Sequence, residues 1–458
     1  MQSEPPGPDR GGSVAAPGIS VAEAARRLGV KQQTVYAYVS RGLLTSWRVP
    51  GRRESRLDPV EVQRLAARQH GARGRAGRLE VVVDSNLTLL EAEGRLAYRG
   101  FDAVEASRTA LFEQVAMWLW GRPAAAVQGS EASFTAPPEL LGPARAAAEL
   151  AGPGASPLDR YVLALAAASA ADHYRHSRLE HGLANRAARM IATLVESLPP
   201  AAPTSGSKAG GRPGGMPTVA ERLWERLTPL PAEEGQVGVL NAALVLLADH
   251  ELAASTLAAR VAASTWADIY KVVTAGMAAL GGPLHGGAGD RAAALVREAL
   301  AAGVDVAVGS RLAAEEPLPG IGHAVYLERD PRADALFAAI AAAWPGHEAL
   351  TVAAGVLEAV REERPEAFAN VDLALGTLIA VAGMIDGAAE AIFATARTAG
   401  WVAHGIEEYQ HRLRFRPRAA YTGPEPGSAA PVLGEHPPIG GSGAGGSGSR
   451  RASARAAE

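Results

Sequence analysis

Two histidines interrupt apolar sequence inside glycine-rich breaks: His285 in GGPLHGGAGD and His323 in GIGHAVYLERDPRADAL. Glycine on either side lets backbone approach a ligand closely, and an imidazole so placed can donate, accept or transfer a proton rather than fill a core. Arg332 follows His323 by nine residues, just after a proline. A guanidinium fork there suits a carboxylate better than a lysine would. Two histidines and a carboxylate clamp imply an anionic substrate that carries a carbonyl.

The rest of the chain must hold these groups in place. Of 458 residues, 48% are hydrophobic but only 5% aromatic, so the core is mostly Ala, Leu and Val. Such a core predicts packed helices, because strands favour β-branched and aromatic residues. With no cysteine, disulfides, thiolate zinc sites and a cysteine nucleophile are excluded. His173, His176 and His181 have the wrong spacing for a shared ligand face, and no metal is expected. Apolar runs such as 373–385 are too short for a membrane helix, and the N-terminus has no signal-peptide pattern, so a cytoplasmic protein with no membrane partner is expected.

Net charge of -3 conceals an asymmetry: residues 18–78 hold 13 Lys/Arg against four Asp/Glu. That split suggests a nucleic-acid-facing module on an acidic body. Residues 1–17 are Pro/Gly/Ser-rich and expected to be disordered. Ser20 and Glu23 have capping-box spacing before Ala24, Ala25 and Leu28, and the helix stops at Gly29. A second helix over 32–39 places Val35, Tyr36 and Val39 inward, with Gln32, Gln33, Thr34 and Tyr38 outward. Two short helices on a glycine turn form a helix-turn-helix, whose second helix enters the major groove. The continuation resembles the wing and third helix of MerR-type or excisionase-type domains, with Arg41, Arg48, Arg52, Arg53 and Arg56 toward phosphates. A docking or oligomerisation appendage remains the alternative for residues 18–69, and 70–78 reads as a basic linker.

Beyond the linker, 79–90 looks β-like and 91–100 a hairpin turn with a strand. Helical spacing then dominates: 111–120, 138–150, 158–171, 180–198, 218–227, 238–250, 252–265, 268–280, 291–302, 333–343, 347–361, 373–384 and 388–399. The Pro/Gly-rich 199–217 reads as a loop, and 423–458 as a disordered tail.

Seven strings in this order carry a resemblance: GRLAYRGFD (94–102), ADHELAAST (248–256), GGPLHGGA (281–288), GIGHAVYLERDPRA (320–333), NVDLALG (370–376), ARTAGW (396–401) and RPRAAYTG (416–423). Together they resemble the citrate synthase family over 79–422, and the whole chain resembles its homologues with an appended helix-turn-helix. The resemblance implies an all-α, two-domain body, with a small closing domain at roughly 287–385, and a homodimer or higher assembly. It implies condensation of acetyl-CoA with oxaloacetate to citrate and CoA, with a CoA thioester as co-substrate and no bound cofactor. Asp372 would be the base, and a neutral His285, helped by the dipole of a helix starting near Asp290, would donate to the enolate oxygen. His323 would polarise the ketone, His250 would hold the same substrate, and Arg332, Arg397 and Arg416 would bind its carboxylates.

Taken singly, Asp372 reads as a helix N-cap and His250 as a helix-end histidine. The family usually follows its NVD string with an aromatic residue and Tyr-Ser, whereas here Leu373, Ala374 and Leu375 follow. That apolar wall predicts a raised Asp372 pKa and leaves room for 2-methylcitrate synthesis from propionyl-CoA. Leu327 replaces a basic residue that many relatives place near CoA phosphates, so CoA contacts are not assigned. A DNA-binding regulator that uses the body as a metabolite sensor is the competing reading.

Overall fold

The computed structural model describes residues 18–48, 55–59, 61–62, 65, 82–122, 134–202, 216–283, 285–411 and 414–416. The expected disorder of 1–17 and 423–458, the linker at 70–78, Arg52 and Arg53 all lie outside the described residues. The chain divides into two compact units, Met1–Arg412 and Leu413–Glu458.

At the start of the first unit, β1 (Ile19–Ser20) leads into α1 (Val21–Leu28), and α2 (Gln32–Ser40) follows. Ser20 caps α1 by accepting the Glu23 N–H at 3.1 Å, and Gly29 ends it in the left-handed region at φ 62°. The Glu23 carboxylate turns to Arg26 and Arg27. β2 (Ser46–Arg48) and β3 (Ser55–Leu57) complete an antiparallel sheet of order β1-β3-β2, the wing of the domain. Its small core joins Val21, Ala24, Leu28, Val35, Leu44, Leu57 and Val62. Tyr38 packs against that core while Tyr36 is 55% exposed, the reverse of the sequence expectation. Tyr38 lies three residues after the buried Val35 and so shares its face, whereas Tyr36 is a third of a turn away.

A second antiparallel sheet follows, made of β4 (Thr88–Glu91), β5 (Arg95–Tyr98) and β6 (Phe101–Asp102), with Thr88 opposite Tyr98 and Glu91 opposite Arg95. The rest of the unit is helical: α3 (Ala103–Thr109), α4 (Phe112–Leu119), α5 (Pro138–Glu149), α6 (Pro157–Ala171), α7 (Glu180–Ser197) and α8 (Val219–Leu227). Then come α9 (Gln236–Leu247), α10 (Ala254–Ser264), α11 (Ile269–Leu280), α12 (Ala288–Ala302) and α13 (Val304–Ala313). Finally α14 (Pro331–Ala343), α15 (Glu348–Glu363), α16 (Val371–Val381) and α17 (Ala388–His411) close the body. Both α9 and most of α17 are buried on every side. The nearly continuous apolar sequence of α9 leaves no polar face to turn outward, whereas α17 buries polar side chains such as Arg397, His404, Glu407 and Glu408 as well.

Three features position the site. Gly376 of α16 faces the α12 backbone so closely that a β-carbon there would meet Ala292 and Ala293. One turn earlier on α16, Asp372 lies beside Gly289 of α12, whose own β-carbon would sit 3.8 Å from Asp372 Oδ1. The segment before α14 is tied to the start of α16 by backbone bonds from Gly322 to Phe368 (2.8 Å) and from Asn370 to Gly320 (2.9 Å). Part of α12, with α13 and α15, also builds a separate small core around Leu295, Val308, Val356 and Val360.

Candidate active site

His250 lies three residues beyond the end of α9, not within a helix as the periodicity predicted. Its segment is held from below: Thr88 Oγ1 donates to Asp249 Oδ2 at 2.5 Å, and the Tyr98 hydroxyl donates to the Asp249 carbonyl at 3.2 Å. Glu251 takes a left-handed backbone, φ 55°, which turns the chain away directly after His250. Such geometry in a non-glycine residue is strained and persists only where surroundings hold it. Asp249 Oδ2 also faces His404 Nε2 at 3.3 Å. Burial alone would raise the Asp249 pKa, but His404, Arg397 and the Thr88 hydroxyl outweigh it and hold the carboxylate below its usual range.

His323, Tyr326 and Arg332 converge on His250. The Tyr326 hydroxyl meets His250 Nε2 at 3.2 Å, and the His250 and His323 rings lie edge to face at 5.1 Å. The His323 ring centroid is 4.8 Å from that of Tyr326, and the Arg332 guanidinium is 5.5 Å from the Tyr326 ring. His323 Nδ1 accepts the backbone N–H groups of Val325 (3.0 Å) and Tyr326 (3.2 Å). A neutral imidazole that accepts at Nδ1 must carry its proton on Nε2. That Nε2 lies 3.5 Å from Arg332 Nη2. Both atoms are donors, so they do not bond each other; they present two N–H groups to one acceptor. Arg332 is fixed by Asp330, which accepts from Nε at 2.9 Å and from Nη2 at 2.7 Å, and also takes the Val371 N–H at 3.0 Å. The fork expected for a substrate carboxylate is thus partly engaged by Asp330.

Arg397 of α17 completes the cluster. It is buried, its Nε donates to the Leu247 carbonyl at 2.9 Å, and its guanidinium lies 4.6 Å from the Phe393 ring. Its Nη1 is buried without a hydrogen-bond partner among the described residues, and burial pushes its pKa down to about 10. Leaving a buried cation unpaired is costly, so this atom marks a place for an anion.

His285 Nε2 lies 2.8 Å from Ser255 Oγ, and its ring meets Phe393 edge to face at 5.9 Å. Burial, then Arg397, bring its pKa down to about 4. His323 likewise falls to about 4 through burial and Arg332, and His250 falls well below its usual value through burial, both arginines and the other two histidines. All three imidazoles are neutral at physiological pH. Burial and a nearby guanidinium act on His285 in the same direction as the expected helix dipole, and α12 begins three residues after it.

Asp372 is not the cap of its helix. Asn370 is, accepting the Asp372 N–H at 2.9 Å, and α16 starts at Val371, two residues earlier than predicted. Asp372 keeps part of its surface open but is closely enough enclosed that desolvation, opposed by Arg332, raises its pKa to about 6. Asp290 instead caps α17 through the N–H groups of Ala389 and Glu390, both at 3.2 Å. Arg416 belongs to the second unit, where it is exposed and outside regular secondary structure.

Ser255, Tyr326 and Asp330 went unassigned in sequence, although each lies inside one of the seven strings. Serine and tyrosine are common enough that only a partner distance singles them out. The Asp330-x-Arg332 spacing could have signalled an oriented arginine. On the N-terminal domain, Gln32, Gln33 and Arg41 are exposed, Thr34 is half-buried and Arg48 is exposed on β2. Tyr38 is withdrawn from the expected nucleic-acid face, and Arg56 Nη1 donates to the Gly18 carbonyl at 3.2 Å.

The family model described as citrate synthase, C-terminal domain, matches residues 78–418, and a helix-turn-helix domain model matches 19–70. The chain belongs to the citrate synthase family, with a helix-turn-helix domain at its N-terminus. It is 30% identical to a citrate synthase of Haloferax volcanii, over 77% of this chain and 96% of that one. It is 35% identical to citrate synthase 2 of Bacillus subtilis and 34% identical to a 2-methylcitrate synthase of Shewanella oneidensis. Those two matches take in 44% and 42% of this chain and span only 55% and 52% of the relatives' own lengths. The solved Thermoplasma acidophilum citrate synthase, in a ternary complex with carboxymethyl coenzyme A and oxaloacetate, superposes with TM-score 0.62 at 26% identity, covering 77% of this chain and 96% of that one. Among the described residues, no helix is long and apolar enough to cross a membrane.

Proposed function

We propose that this protein condenses an acyl-CoA with oxaloacetate, releasing citrate, or a homologue of it, and CoA. The observation that carries the reading is the buried Nη1 of Arg397, without a hydrogen-bond partner among the described residues, beside three neutral histidines and Arg332. A small dianion satisfies both guanidinium groups, and its ketone oxygen accepts from His323 Nε2–H.

The difficult step is removal of a proton from the thioester α-carbon. Asp372, a stronger base for its raised pKa and still ionised at neutral pH, takes that proton. Ser255 donates to His285 Nε2, leaving Nδ1–H for the developing enolate oxygen; a neutral donor matches a weakly basic oxygen. The enolate carbon then attacks the ketone carbon, and the former ketone oxygen takes up a proton at His323. Water cleaves the resulting thioester, giving the carboxylate and free CoA thiol. Closure over the substrates keeps the enolate from bulk water. The small domain at 287–385, a homodimer and a cytoplasmic setting belong to the same proposal, resting on the family resemblance.

Propionyl-CoA is the second acyl donor of this reading, supported by the similarity to a 2-methylcitrate synthase, while Leu373, Ala374 and Leu375 are themselves buried in the core. The test is thiol release from acetyl-, propionyl- and butyryl-CoA with oxaloacetate. Release that requires oxaloacetate and falls about a hundredfold or more in Asp372→Asn supports the proposal. Folded protein that releases no thiol with any of the three overturns it.

A further inference from the structure

The β4–β5 hairpin touches three parts of the molecule at once. At its base, Thr88 and Tyr98 hold Asp249 and hence the His250 segment. At its tip, the Ala92 carbonyl accepts the Leu327 N–H at 3.1 Å. Gly94, at φ 93°, lies against Arg329, so that a β-carbon there would be 3.3 Å from Arg329 Cγ. On its outer side the tip meets α1 of the helix-turn-helix domain. Arg26 Nη1 is 2.9 Å from Glu93 Oε1, and Arg27 Nη2 is 3.7 Å from Glu91 Oε1. Glu23 braces both arginines from within α1, at 2.7 and 2.8 Å.

We propose that DNA binding by the N-terminal domain responds to an oxodicarboxylate at the His250, His323 and Arg332 site, and that this hairpin carries the response. The inference rests on the reading of that site given above. Tyr326 precedes Leu327 directly, and its hydroxyl and ring meet His250, His323 and Arg332. A dianion seated among those groups repositions Tyr326, and Leu327 N with its bond to Ala92 moves too. On the other side, Arg26 and Arg27 already pair with Glu23 of their own helix, and docking adds a second carboxylate to each, Glu93 at 2.9 Å and Glu91 at 3.7 Å. In a helix-turn-helix the first helix crosses the phosphate backbone, so those two cations are withheld from DNA and an acidic tip stands close by. Docked and released arrangements therefore differ in DNA affinity, and a ligand that prefers one shifts the other's population. Linkage makes the effect reciprocal: DNA must alter oxaloacetate affinity by the same factor.

The experiment uses the full chain and a duplex selected by it from a random-sequence pool. DNA affinity is read by fluorescence anisotropy with and without oxaloacetate, and oxaloacetate binding is measured separately by calorimetry. One exposed and one half-buried ion pair support a shift in DNA affinity of roughly threefold to tenfold. In the double variant E91Q/E93Q the shift disappears, DNA binding in the absence of ligand tightens, and thiol release at saturating substrates stays unchanged. The proposal is overturned if oxaloacetate binds but the anisotropy curves superimpose, or if the shift survives in E91Q/E93Q. Absence of oxaloacetate binding by calorimetry overturns the site reading and the coupling together, whereas failure to select any duplex overturns the coupling alone.

Discussion

At the scale of single residues, Arg397 and Asp372 are opposites: a buried cation with one nitrogen unpartnered among the described residues, and a carboxylate held at a raised pKa. Replacing Arg397 with Met removes a charged contact to substrate, and by comparison with buried charge pairs KM for oxaloacetate should rise by about two orders of magnitude. Thermal stability should hold or increase, since Arg397 forms no ion pair with a described residue. For Asp372 the sign runs through its two protonation states. The base must be ionised, so kcat/KM should fall as pH drops through about 6, while His285 and His323, at about 4, add no second limb there. Because the folded pKa lies above the ordinary 3.8, ionisation costs stability. Asp372→Asn should therefore melt higher at pH 8, by about 1 kcal/mol after allowing for its partial exposure, with the gain fading between pH 6 and 4. A melting series across that range checks it.

At the scale of elements, Gly376 sets how near α16 comes to α12. Gly376→Ala drives a methyl into the Ala292–Ala293 backbone, which should cost about 1–3 kcal/mol. The displaced Asp372 should lower kcat about a hundredfold with little change in oxaloacetate affinity. Stopped-flow thiol release and calorimetry separate the two effects. Most helices were legible from periodicity, because α8, α11 and α12 alternate buried and exposed turns in the ordinary way. Others were not: α13 follows α12 after Gly303 alone, and its short VDVAVGSRLA sequence has no strong periodicity. The prediction for α17 stopped at Ala399, yet the helix continues through Gly400 to His411. Glycine is needed there for approach to Ala248 and Asp249, not for a turn. Within the site, the glycine-flanked histidines and Asp372 stood out in sequence; the hydroxyls of Ser255 and Tyr326 did not, since their significance lies in distances of 2.8 and 3.2 Å that only tertiary packing creates.

For the whole molecule, charge is uneven: residues 18–78 hold 13 Lys/Arg against four Asp/Glu, and the remainder is correspondingly acidic. Binding to duplex DNA should weaken steeply with salt, and Arg48→Ala should reduce the log–log salt slope by about 1 if that exposed side chain meets a phosphate. Titrations at several salt concentrations measure this directly; an unchanged slope would remove Arg48 from the interface.

The long helix α17 holds Arg397 near its middle and His404, Glu407 and Glu408 further along. Glu407 and Glu408 grip the buried Arg260 at 2.7 and 2.8 Å, and Glu407 also receives the Asn86 N–H at 2.8 Å. A rod clamped so firmly at one end cannot swing to meet its substrate. It serves as an anvil for Arg397, and the Asp290 cap at its opposite end ties α12, with Asp372 packed beside it, to the same rod.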